Sequence, residues 1–150
     1  MAQFRRNASL EWTGDVVRGT GHVVAGSGAF RIAATFPRLG GEPDGATTPE
    51  ELLAAAHAAC FGIGLRSILG QRGATAARIR VTATLTAEKA AGRISLVSAH
   101  LQATIEGAAG LEQEALDDAA KAAEQACTIS EVLRRSVPIT VAVLPEPPSR

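Results

Sequence analysis

One segment restricts the folds open to this 150-residue chain more than any other: Thr48-Pro49-Glu50-Glu51, followed by an apolar run from Leu52 to Leu65 that only His57 interrupts. Thr48 suits a helix N-cap, Pro49 suits the first helical position, and Glu51 sits three residues after Thr48 as a capping-box partner. The pattern predicts a helix that runs to Gly70 or Arg72 and is ended by Gly73. The uninterrupted run is shorter than the ~20 residues of a membrane span, which argues for a buried core helix and against membrane insertion. That helix carries a thiol, Cys60, on an almost uncharged surface.

The flanking segments predict an α+β domain spanning residues 1–150. Before the helix, glycines at 19, 21, 26 and 28 divide the chain into short runs such as His22 to Ala25 and Ala29 to Phe36. These read as an antiparallel meander with Gly26-Ser27-Gly28 as a hairpin turn. Gly19-Thr20-Gly21 lacks the further glycine and the strand-to-helix setting of a nucleotide-binding loop, so it is a turn. A stretch rich in turn formers, from Pro37 to Thr47, leads into the helix.

After the helix, Arg78 to Glu88 alternates with Ile79, Val81, Ala83 and Leu85 on one face, as a half-exposed strand does. Ala91-Gly92 then marks a turn and Arg93 to Glu106 a returning strand. Leu111 to Ala126 is amphipathic at helical spacing. Ser130 is expected to cap a short helix to Arg135, Val137 to Leu144 to close the fold as a strand, and the proline-rich tail from 145 to 150 to be disordered.

Composition removes several functions. The 15 basic and 15 acidic residues cancel and form no basic block, so the electrostatic footprint for nucleic acid is missing. Arg5 and Arg6 are followed by no apolar signal core, which leads to the expectation of a cytoplasmic protein. The two cysteines, Cys60 and Cys127, have no CxxC or Cys/His metal spacing, and in a reducing compartment any pairing between them would be transient and redox-linked.

Each candidate has a plain alternative. Cysteine is among the most buried residue types, so either thiol could be a small core hydrophobe. Cys127, however, precedes a capped helix whose backbone N–H groups favour a thiolate. Arg38 is a solvated arginine or a partner for charge. Glu50 is left over once Glu51 completes the capping box; it either favours the helix N-terminus or orients an arginine. His57 shares a helix face with Cys60, which permits a dyad, although a histidine so placed is more often satisfied within the core.

Taken together, Glu11-Trp12-Thr13-Gly14-Asp15, Arg18-Gly19-Thr20-Gly21, Phe36-Pro37-Arg38, Thr48 through Phe61, and Ala126-Cys127-Thr128-Ile129-Ser130 resemble the OsmC/Ohr family, the osmotically inducible and organic hydroperoxide resistance proteins, in its OsmC-like branch. The resemblance covers nearly the whole chain in order. It implies an OsmC/Ohr-like fold of antiparallel sheets around a buried central helix, an intertwined homodimer, and peroxidase activity towards organic hydroperoxides. On matching positions it makes Cys60 the peroxidatic and Cys127 the resolving cysteine, with Arg38 stabilising the thiolate and Glu50 holding Arg38. It implies no metal or bound cofactor, and an external dithiol reductant of the dihydrolipoyl kind carried on partner proteins. His57 is not required by that chemistry. One departure is clear: the family's second cysteine is usually followed by proline, and here Thr128 takes that place.

Elementary chemistry agrees with these roles. A thiol of ordinary pKa is mostly protonated at neutral pH, so a peroxidase must stabilise the thiolate with a nearby cation. Arg38 would supply that charge and steady the departing alkoxide, whereas an unshielded Glu50 would raise the thiol pKa. Glu50 and Cys60 lie ten residues apart, about 15 Å of helical rise, so one site using both would draw the carboxylate from a second subunit. Phe61, Ile63 and Leu65 around Cys60 are expected to favour bulky organic peroxides. The competing function is a dimeric module of the same fold that binds an apolar or acyl ligand and merely retains its cysteines.

Overall fold

The computed structural model describes residues 1–36 and 45–146. The chain forms two compact units, Met1–Leu52 and Leu53–Arg150. In the first, β1 (Ala8–Thr13), β2 (Thr20–Ala25) and β3 (Arg31–Ala34) make an antiparallel meander in that order. Trp12 of β1 pairs across the ladder with Gly21 of β2, where a side chain would meet the indole ring. That close approach explains why Gly21 interrupts the strand pattern.

The helix α1 runs unbroken over Pro49–Gln71. Thr48 Oγ1 accepts from the Glu51 N–H at 3.3 Å, the expected first half of the capping box. The second half differs: the Glu51 carboxylate accepts from the Thr47 hydroxyl at 2.6 Å and so ties down the residue before the cap. Gly73, at φ 75°, ends the helix in the left-handed conformation that a side chain would strain.

The second unit holds a three-stranded sheet in the order β4 (Arg78–Ala90), β5 (Arg93–Glu106), β6 (Ile139–Leu144). Ala91 and Gly92, both at positive φ, make the tight turn that joins β4 to β5 antiparallel. The expectation of wholly antiparallel sheets is corrected at β6, which pairs parallel to β5. Two helices, α2 (Gln113–Ala126) and α3 (Thr128–Leu133), lie between those strands, and a crossover of that length returns the chain to the same edge running in the same direction.

The main core joins Phe61, Leu65 and Leu69 of α1, Leu101, Ala103 and Ile105 of β5, and Leu116, Ala119, Ala120 and Ala123 of α2. Gly62 sets the packing distance between α1 and β4, because a Cβ there would come within 3.2 Å of Val81. The central helix is buried on one face only: His57, Phe61, Leu65 and Leu69 recur every four residues, while Ile63 keeps 74% of its surface. Its apolar 18-residue window, of mean hydropathy 1.6, would reach across a membrane by length and composition, which the shorter sequence run did not suggest. Of that window 22% is buried, and its buried row joins the core formed with β5 and α2.

Candidate active site

The site is built where the middle of α1 meets the start of α3. Helix α3 begins at Thr128, two residues before the expected start, because its N-cap is Cys127 itself and not Ser130. The Cys127 sulfur accepts from the Ser130 N–H at 3.4 Å, as a capping side chain does. The first-turn N–H groups of Thr128 and Ile129 then act on Cys60 as donors that lower its pKa.

Both cysteines are free, Cys60 partly exposed and Cys127 buried, and each shifts the other's pKa. Burial alone pushes the Cys60 thiol up. The Cys127 side chain, the N–H groups of Ile129 and Thr128 and the Thr128 hydroxyl, whose Oγ1 lies 3.7 Å from Sγ, outweigh it, so the Cys60 pKa falls below the ordinary thiol value. Burial raises the Cys127 pKa, and its bond to Cys60 raises it further, against the opposing donors of Ser130 and Ile129. Of the two thiols Cys60 is therefore the one shifted towards the thiolate, and Cys127 the one shifted away from it.

His57 is fully buried, as is Ser130, and its Nε2 lies 2.8 Å from Ser130 Oγ. It forms no dyad with Cys60. Burial lowers its pKa, while the Glu124 carboxylate acts in the opposite sense. Nothing in the sequence pointed to Ser130 as its partner, since the two are 73 residues apart.

Arg38 lies outside the described residues. Glu50 is at the first turn of α1, and its Oε2 is buried with no hydrogen-bond partner among the described residues. Phe61 and Leu65 turn into the core with no exposed surface, so of the three apolar residues expected to greet substrate only Ile63 is open. Among the described residues no group of three His, Cys, Asp or Glu side chains is assembled that could hold a metal ion.

The sequence model of the family described as OsmC-like protein matches residues 41–142 of the chain, taking in both cysteines and α1. This chain belongs to the OsmC family. Peroxiredoxin OsmC of Escherichia coli strain K12 is 29% identical over 134 residues, which cover 89% of this chain and 93% of the relative. An organic hydroperoxide resistance protein OsmC from Legionella pneumophila has the same fold, with a TM-score of 0.74 and 28% identity over 95% of this chain and 98% of its own. A third similar structure, from Vibrio cholerae, is described as an organic hydroperoxide resistance protein with captopril bound in one of its active sites; it is 26% identical, with a TM-score of 0.73, over 95% of this chain and 93% of its own. The α+β expectation and the OsmC/Ohr resemblance thus hold. A peroxidase-type role is the family's common ground.

Proposed function

We propose that this protein reduces organic hydroperoxides to alcohols with its own thiols as the electron source. The Cys60 thiolate attacks the terminal peroxide oxygen, the O–O bond breaks, and the alkoxide takes up a proton, leaving a sulfenic acid on Cys60. Cys127 then attacks the Cys60 sulfur; a disulfide forms and the hydroxyl leaves as water. An external dithiol, dihydrolipoyl groups being the proposed source, reduces the disulfide and restores both thiols.

The observation that carries this reading is the asymmetry of two free thiols at the start of α3: Cys60, 3.7 Å from Thr128 Oγ1, has its pKa lowered, while Cys127, the buried cap, has its pKa raised. An inert core cysteine has no need of four donors. Arg38 is proposed to add a permanent positive charge and to hold the departing alkoxide, with Glu50 orienting it; the unpartnered buried Oε2 of Glu50 suits such a role. Because α1 is unbroken, Glu50 and Cys60 remain about 15 Å apart along it. A homodimer that brings Glu50 of one subunit to Cys60 of the other would reconcile them. It would also cover the exposed apolar face marked by Ile63. A cytoplasmic location belongs to the same proposal.

The binding-module reading rested on Thr128 in place of proline. Thr128 supplies Cys60 with a hydroxyl and an N–H, the latter a donor that proline lacks, which favours the enzyme. The test is consumption of cumene hydroperoxide by the purified protein with dihydrolipoamide. Turnover that disappears in Cys60→Ser supports the proposal, and inactivity of the wild type with every dithiol supplied contradicts it.

A further inference from the structure

The mechanism above leaves one buried group unused. His57 has no exposed surface, its Nε2 is bonded to Ser130 Oγ, and its Nδ1 is buried with no partner among the described residues. A buried histidine with a purely structural role ordinarily has both ring nitrogens satisfied, and the second bond fixes its tautomer. Here nothing fixes it. Ser130 in turn lies against the resolving cysteine, its N–H donating to Cys127 Sγ at 3.4 Å and its side chain lowering the pKa of that thiol. Ser130 therefore stands between His57 and Cys127, and Cys60 lies beside Thr128 of the same short helix.

We infer that Ser130 and His57 form a proton relay for Cys127, the serine hydroxyl carrying the thiol proton to the imidazole as Cys127 attacks oxidised Cys60. The need arises from the chemistry proposed above, on which this inference rests. In the reduced protein Cys127 can give its S–H to the Cys60 thiolate. Once Cys60 becomes a sulfenic acid that anion is gone, and the Cys127 proton needs another acceptor before the sulfur can become a good nucleophile.

The relay supplies one. The Cys127 proton moves to Ser130 Oγ while the Ser130 proton moves to His57 Nε2. The Cys127 sulfur forms a bond to the Cys60 sulfur, and the Cys60 S–O bond breaks, its electron pair leaving with hydroxide. The imidazolium then loses its proton to water and hydroxide becomes water, so the net change is one disulfide and one water from a thiol and a sulfenic acid. Glu124, itself paired with Arg134 at 2.5 Å, lends negative potential to the ring during its brief charged state. When the disulfide is reduced, the same relay run backwards returns a proton to the departing Cys127 thiolate. His57 touches no reacting atom and acts only through Ser130.

The decisive experiment resolves the two steps in one turnover. Reduced protein is mixed with one equivalent of cumene hydroperoxide; alcohol formation reports attack by Cys60, and disulfide formation, with dimedone trapping of the sulfenic acid, reports resolution. In Ser130→Ala resolution should slow by about tenfold to a hundredfold more than peroxide attack does, so that the sulfenic acid accumulates. Ser130→Thr, which keeps the hydroxyl, should restore resolution, and His57→Asn should behave like Ser130→Ala. Equal slowing of both steps in every variant, or resolution within twofold of wild type in both Ser130→Ala and His57→Asn, would overturn the relay. If Ser130→Ala does not fold, His57→Asn with the serine retained decides the matter. Failure of wild-type protein to form any disulfide would instead overturn the peroxidase chemistry itself, an outcome separate from loss of the relay.

Discussion

Cys60 and Cys127 both lie at the start of α3, yet their surroundings push them in opposite directions. Cys60 sits mid-helix on α1, a place with no free backbone donors of its own, and becomes acidic because the first turn of α3 is brought to it. Cys127 sits at the head of that same short helix, where the sequence suggests an acidic thiol, and its pKa is instead raised, by burial first and then by Cys60. A helix terminus therefore acidifies the sulfur its N–H groups reach, which need not be the one nearest in sequence.

The largest test of this asymmetry is removal of each sulfur in turn. Cys60→Ser should reduce peroxide consumption to the uncatalysed background. Cys127→Ser should keep the first attack, stall at a trappable sulfenic acid, and so separate the two roles. Equal loss of the first attack in both variants would show that the thiols are interchangeable.

Arg38→Gln comes next. It should cost about a hundredfold in kcat/KM, because charge on the departing alkoxide goes unmet. Cys60 should nonetheless remain more acidic than Cys127, since the α3 donors are untouched; differential alkylation across pH measures this. If Cys60 loses its advantage over Cys127, the arginine and not α3 governs the thiolate.

Thr128→Val keeps the backbone N–H but removes the hydroxyl that lies 3.7 Å from Cys60. A loss of about fivefold in Cys60 alkylation rate at neutral pH is expected. Thr128→Pro removes the N–H as well as the hydroxyl and should lose more; an unchanged rate in both would remove Thr128 from the account.

The smallest effect concerns stability. Burial holds the His57 pKa below the ordinary imidazole value of 6.5, so the unfolded chain binds a proton that the folded one resists. His57 thus favours folding fully above 6.5, and that contribution is lost as pH falls below it, at a slope of at most about 1.4 kcal/mol per pH unit. Denaturant midpoints across that range should show the decline, and His57→Asn should flatten it.

Much of this architecture was legible where local rules govern. The α1 start follows from Thr48 and Pro49, its end from Gly73, the β4 face from strict alternation, and the β4–β5 turn from Ala91-Gly92. What escaped depends on contacts between distant residues. Ser130 looks like an N-cap by residue type, but its hydroxyl is taken by His57 and the capping passes to Cys127, which moves the helix start to Thr128. The parallel pairing of β6 depends on which sheet edge the α2–α3 crossover reaches, and no short-range pattern encodes that. The cysteines were legible as a pair through the family resemblance, whereas their opposite pKa shifts were not, because these depend on burial and on α3 donors far from Cys60 in sequence.

The central claim is that Cys60 is the thiolate that meets peroxide and Cys127 the thiol that resolves it. Mass spectrometry of the protein after one equivalent of organic hydroperoxide tests this directly. A single intramolecular disulfide between Cys60 and Cys127 in the wild type, with the oxidation confined to Cys60 in Cys127→Ser, is the predicted result. Unreacted thiols in the wild type, or oxidation of Cys127 ahead of Cys60, would contradict it.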